Sequence, residues 1–189
     1  MKDPELIQAL RNKNQGAFRL LVDTWKNKVF NTCIGVLQHA EDAEEITQDV
    51  FIEVYHSVNK FDGRSTLATW IYRIAINKSL DKLRHNKSKK RSGLVQRFFN
   101  GSKMNDAPDF VHPGVEMEQK ELSVILFKAI DNLSENQKTA YVLHYVEGLP
   151  QREIAEIMKT TIGSVESLLM RAKGNLRKLL GNYYAKNFK

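Results

Sequence analysis

The sequence predicts an all-α protein made of two small helical domains joined by a flexible linker. Three observations lead there. Apolar residues recur at spacings of three and four through most of the chain, and no strand-like alternation of useful length occurs. Periodicity fades between about Ser92 and Gly114, where Gly93, Gly101, Pro108, Pro113 and Gly114 collect. The expected division is a first domain over 1–92, a linker over 93–114 and a second domain over 115–189.

The elements follow in order. Asp3-Pro4 reads as a helix cap followed by a first-turn proline. Phe18, Leu21, Val22, Trp25, Val29, Cys33 and Leu37 form one face of a long helix, and Ala43, Ile46, Val50, Val54 and Val58 one face of a second. The loop KFDGRS leads to a third helix, which starts near Thr66 and runs into the basic segment RHNKSKKR. Beyond the linker, Leu122, Ile125, Leu126, Ala129, Ile130 and Leu133 mark a further helix, and Ser134-x-x-Gln137 is a capping-box pattern opening the next. EGLPQREIAEIMK is a short helix after Gly148 and Pro150, and TTIGSVESLLMRAKGNLRKLL is the last.

Composition narrows the function classes. A hydrophobic content of 42% supports packed cores, and 29 basic against 22 acidic residues, net +7, favours a polyanionic partner. No apolar run approaches the ~20 residues of a membrane-spanning helix, and MKDPELIQALRNK has no signal-peptide core. A cytoplasmic chain without membrane insertion is expected. The single cysteine, Cys33, falls on an apolar stripe and reads as a small buried residue. The five histidines lack metal-ligand spacing, and neither a phosphate-cradling glycine loop nor a nucleophile motif occurs, so no enzyme and no cofactor are expected. Asp42, Glu45 and Asp49 read as solvated surface rather than cation ligands.

In the C-terminal part, Ile154, Ala155 and Met158 form the inner face of a short helix. Ile162, Val165, Leu169, Ala172 and Leu176 form that of a longer one. With Gly163 placed in the tight connection, this is a helix-turn-helix pattern. The second helix then presents Ser164, Glu166, Ser167, Met170 and Arg171 to a major groove. An ordinary helical hairpin has the same periodicity. The continuous stretch LSENQKTAYVLHYVEGLPQREIAEIMKTTIGSVESLLMRAKGNLRKLL resembles region 4 of bacterial sigma factors, particularly the extracytoplasmic-function (ECF) class. The resemblance implies reading of a −35 element by Gly163, Ser164, Glu166, Ser167, Met170, Arg171 and Lys173. Family members commonly carry basic residues where this chain has Glu166 and Leu168, so the DNA-facing surface here is less basic. Glu166 fits a base-reading carboxylate and a solvent-facing one equally well.

The third helix carries Trp70, Arg73, Asn77, Asp81 and Arg84 on one face, beside five cations in RHNKSKKR. Rings, cations and an amide together suit an unstacked strand, with stacking on bases and charge on phosphates. Trp70 fits a core position as well, and Asp81 a local ion pair. The segment AEDAEEITQDVFIEVYHSVNKFDGRSTLATWIYRIAINKSLDKLRHNKSKKR resembles region 2 of the same class. The resemblance implies docking of Asp42, Glu45, Gln48 and Asp49 on core RNA polymerase. It also implies contact of Phe61, Ser65, Thr66, Trp70, Arg73, Asn77, Lys78 and Arg84 with the opened −10 element. It further implies a linker threading the polymerase RNA path and an anti-sigma factor as a partner. A stand-alone helix-turn-helix regulator is the competing reading. It leaves the Trp-Arg-Asn face and the acidic second helix without a role.

Overall fold

The computed structural model describes the backbone of residues 3–98 and 126–187, with side chains over 3–89 and 126–181. All regular structure among the described residues is helical. Helices α1 (Asp3–Arg11), α2 (Gln15–Leu37) and α3 (Ala40–Ser57) are followed by a single 3₁₀ turn, Val58–Lys60, and by α4 (Leu67–Phe98). After residue 125 come α5 (126–131), α6 (Glu135–Tyr141) running into a π turn over Val142–Val146, α7 (Gln151–Met158) and α8 (Ile162–Asn187).

The first half is an α-helical bundle whose boundaries have local causes. Asn14 accepts the Ala17 amide at 2.9 Å and so caps α2. Gln38, left-handed at φ 57°, closes α2 by donating its amide to the Ile34 carbonyl at 2.9 Å. Leu21, Val29 and Cys33 of α2 meet Ala43, Val50 and Val54 of α3 and Ile71 and Ala75 of α4, all without exposure. The two expected apolar stripes therefore form one core, completed by the inner face of α4. Burial pushes the Cys33 thiol up to about 11, so it sits there as an inert apolar group.

One boundary moves. The linker was expected from residue 93, but the backbone stays helical to Phe98. Gly93 weakens a helix without stopping it, and the first proline after it is Pro108. The rest of the expected linker, and the expected helical positions Leu122 and Ile125, lie outside the described residues.

In the second half, Ala129, Ile130 and Leu133 are buried against Ala172 and Leu176 of α8. Ser134 has the extended backbone of a cap but makes no side-chain cap bond. Gln137, the other member of the capping-box pattern, instead accepts from the Asn175 amide of α8 at 3.1 Å. Helices α7 and α8 form the expected helix-turn-helix, with Thr161 capping α8 by accepting the Ser164 amide at 3.2 Å. The tight connection does not use Gly163, however. Gly163 lies inside the first turn of α8, and a Cβ there would meet nothing within 4 Å. The turn instead puts Lys159 at φ 52°, ψ 50°. An L-residue in that conformation is disfavoured by roughly 1–2 kcal/mol relative to glycine. Lys159→Gly should therefore raise stability by about 1 kcal/mol, read as a higher urea midpoint with an unchanged slope.

The two halves pack on one another. Val36 of α2 and Tyr72 and Ile76 of α4 share a buried cluster with Ala140, Leu143, Ile154, Ala155, Ile157, Val165 and Leu169. Gly35 permits the approach: a Cβ there would sit 2.8 Å from both methyls of Val142. The packing also explains a residue that the helical pattern put outside the inner face of α7. Ile157 is 3% exposed, whereas the expected inner residue Met158 is only partly buried. Helix α7 is covered from two sides, by α8 and by α4.

Candidate nucleic-acid and polymerase interface

The loop between Lys60 and Leu67 is built by short-range constraints. Gly63 takes a left-handed conformation at φ 75°. Thr66 accepts the Thr69 amide at 3.0 Å, opening α4. Arg11 of α1 donates to the Phe61 carbonyl at 2.6 Å. Phe61 is buried and its ring lies 5.1 Å from that of Trp70, so Phe61 braces the half-buried indole. Lys60, Phe61, Asp62, Arg64, Ser65, Trp70 and Arg73 line a cleft of about 390 Å³, whose remaining wall is Glu156 of α7.

Along α4 the expected face is only partly free. Asn77 is exposed one turn beyond Arg73. Lys78 stands 3.8 Å from Glu53, and Arg84 is paired with Asp81 at 3.0 Å, the local pair anticipated for Asp81. Such exposed pairs are worth little and exchange readily. Arg73 is held differently: its Nη2 donates to the Glu156 carbonyl at 3.0 Å, and its Nε is buried without a hydrogen-bond partner. Next to it the Tyr72 hydroxyl donates to Glu147 Oε2 at 2.8 Å. Burial pushes the Glu147 carboxyl up, against the opposing Tyr72 bond and the nearby Lys28 charge. The other oxygen, Glu147 Oε1, is buried and also lacks a partner. Each such orphan costs about 1–3 kcal/mol, so this polar seam is imperfectly satisfied.

The four acids and amides of α3 divide. Asp42 accepts from Lys82 at 3.2 Å and from Asn86 at 2.8 Å, and Glu45 accepts from Lys82 at 2.6 Å. Both tie α3 to α4. Gln48 is exposed and Asp49 half-exposed. Ile52, one turn past Gln48, is 54% exposed, an apolar residue that helical periodicity passes over because it lies off the buried stripe. Lys60 and Arg64 were likewise not singled out, although both cations stand in or beside the KFDGRS loop.

On α8, Ser164 and Ser167 are half-exposed while Glu166, Met170, Arg171 and Lys173 are exposed, Met170 at 71%. The Lys173 ammonium lies 5.0 Å over the Tyr145 ring. Between Ser164 and Lys173, roughly two and a half turns of helix, α8 thus offers hydroxyls, a carboxylate and cations on one side. Glu166 makes no ion pair among the described residues, so pairing within the helix does not account for it.

Two family models match the chain: Sigma-70 region 2 over residues 21–89 and Sigma-70, region 4 over residues 123–176. The ECF RNA polymerase sigma-E factor of Haemophilus influenzae is 33% identical over 175 residues, 92% of either chain. The chain belongs to the sigma-70 family, in its ECF class. This ECF sigma factor has its two conserved regions in the family order, and the match over region 2 gives the N-terminal half a place that a stand-alone regulator does not. Its fold is shared with two solved structures. CnrH in complex with the cytosolic domain of CnrY is 21% identical, covers 95% of this chain and 97% of its own, and superposes at a TM-score of 0.69. The sigma factor RpoE in complex with the anti-sigma factor NepR from Bartonella quintana is 23% identical, covers 87% and 96%, and superposes at 0.65. No described helix is long and apolar enough to cross a membrane.

Proposed function

We propose that this sigma factor binds core RNA polymerase through α3, reads a −35 element with the start of α8 and holds the opened −10 strand against α4. The observation that carries the reading is the cleft beside Trp70 and Arg73, cationic at its rim and followed by the exposed Asn77. A ring for stacking, a guanidinium for a phosphate and an amide for a base edge stand within two helical turns. In the polymerase contact Asp42 and Glu45 hold α3 on α4, while Gln48, Asp49 and Ile52 face the partner. Charges around an apolar anchor set encounter rate and specificity there. The chain acts in the cytoplasm as an initiation factor rather than an enzyme. Its relative in the Bartonella quintana complex is bound by an anti-sigma factor, and a partner of that kind is proposed here.

The test is Asn77→Ala in reconstituted holoenzyme. Open-complex formation should fall about tenfold, which is ~1.4 kcal/mol, and preference should relax at one −10 position. Binding to core polymerase should persist, because Asn77 belongs to α4 and not to the α3 surface proposed to dock. Permanganate footprints identical to wild type across −10 variants would remove the role.

A further inference from the structure

Helix α1 precedes the region 2 match, which begins at residue 21, yet its last residue reaches the loop beside Trp70. Leu6 and Leu10 seat α1 in the first core, Leu10 at 2% exposure. Arg11 follows, and its Nη2 donates to the Phe61 carbonyl at 2.6 Å. Lys13, left-handed at φ 56°, donates to the Tyr55 carbonyl at 2.5 Å with its ammonium 4.0 Å from the Tyr55 ring centre. That carbonyl lies in the last turn of α3, where a cation is favoured. The α1–α2 turn therefore holds both the end of α3 and the residue that opens the loop. We infer that Arg11 is a positioning residue for capture of the opened −10 strand: by fixing the Phe61 peptide it sets where the Trp70 ring and the loop over 62–65 stand. Arg11 acts through Phe61 and does not line the cleft, so the inference rests on the assignment of that cleft to the strand.

Three constraints meet at Phe61. Its amide donates to the Val58 carbonyl at 3.1 Å, its carbonyl takes the Arg11 guanidinium, and its buried ring lies 5.1 Å from that of Trp70. With both backbone groups engaged, the ring has one placement, and the half-buried indole has a fixed support. Beyond Phe61 the restraint weakens. Gly63 is left-handed at φ 75° and a Cβ there would meet nothing within 4 Å, while Asp62 bonds inside the loop, to the Arg64 amide at 3.1 Å and to its guanidinium. The far end is closed by Thr66, which caps α4. Arg11 and Thr66 are thus the two posts between which a largely exposed loop stands. A loop held at both ends gives up less freedom when a strand arrives, and groups held by such outer bonds discriminate between ligands because they cannot adapt to the wrong one. Without the Arg11 post the loop and the indole take more placements, so preferred and unpreferred bases are held more alike.

The test is Arg11→Met in reconstituted holoenzyme, which keeps an unbranched stem and removes the donors. Open-complex formation should fall about tenfold on a promoter with the preferred −10 element and about twofold on one with a substituted −10 base, so their ratio shrinks about fivefold. Preference over the −35 element and affinity for core polymerase should not change. Arg11→Lys, which returns a donor on a similar stem, should recover most of the ratio. A loss that lowers both promoters alike would be a folding defect and would overturn the inference, as would Arg11→Lys behaving like Arg11→Met. A second readout uses the free chain carrying Trp25→Phe, in which Trp70 is the sole tryptophan. Arg11→Met in that background should raise acrylamide quenching of Trp70 fluorescence, and unchanged quenching overturns the inference too. Asn77→Ala separates the two ways of failing. Promoter opening intact in both variants removes the strand-binding role of the cleft, whereas opening impaired by Asn77→Ala alone removes only the positioning role of Arg11.

Discussion

Ile154→Ala should destabilise the second half of the protein by about 2–5 kcal/mol, the largest effect expected of any single change considered. Ile154 is completely buried, and it sits where α7, α8 and the helices of region 2 share one apolar cluster. Truncation removes three side-chain carbons from water-free contact and leaves a cavity. The walls of that cavity are α-helices already held on several sides, so collapse is limited. The total stability of a domain this size is only about 5–15 kcal/mol. The variant should therefore show a lower urea midpoint and loss of −35-dependent transcription at elevated temperature. Ile154→Val, which deletes one methyl, should cost only about 0.5–1.5 kcal/mol. An unfolding free energy for the alanine variant within about 0.5 kcal/mol of wild type would mean that this cluster does not hold the helix-turn-helix together.

Glu166→Ala should remove sequence preference at one position of the −35 element, worth ~1–3 kcal/mol, and leave binding to other sequences unchanged or tighter. The carboxylate is exposed near the start of α8, with Ser164 and Ser167 half-exposed beside it, and no ion pair among the described residues occupies it. Near a duplex it repels phosphates, so it contributes nothing to non-specific affinity. What it offers is an acceptor for cytosine N4, with adenine N6 as a second donor. The positive end of the α8 dipole lowers the cost of bringing that charge close. Arg171, further along the helix, supplies a phosphate anchor or a guanine contact. Selectivity is thereby gained at the expense of affinity, which works when polymerase provides most of the hold on DNA. The measurement is holoenzyme binding to a library randomised over the −35 element. Preserved preference at every position would assign readout to Ser164, Ser167, Met170 and Arg171 instead.

Both results bear on how far helical pattern alone reaches. Ile154 was recognisable as an inner residue because one amphipathic helix has one obvious apolar face. Ile157 was not, because it is buried in a cluster that α7 shares with helices distant in sequence, α4 among them. Gly163 reads as part of the turn because a steep meeting of two helices favours a small residue there, yet it lies inside α8 and Lys159 takes the left-handed conformation. Local preference was overridden there by the packing of the two helices on each other. At Ser134 the capping-box pattern yields no side-chain cap bond, and Gln137 takes a long-range bond from Asn175 instead.

By itself the sequence determined the all-helical class, two of the stripes of the first core, the helix-turn-helix and the family, with its regions in order. These follow from spacing along one chain, and spacing is a local property that a helix converts directly into a face. The tertiary structure alone decided which members of each face are free. It tied Asp42 and Glu45 to Lys82, left Gln48, Asp49 and Ile52 open, and set Phe61 behind Trp70 as a brace. It also joined Arg73 to Glu156 across 83 residues of sequence, and Tyr72 to Glu147 across 75. No periodicity encodes such pairings, because they depend on where two separately formed helical units meet. That meeting is set by complementary shape, down to the missing side chain of Gly35 against Val142.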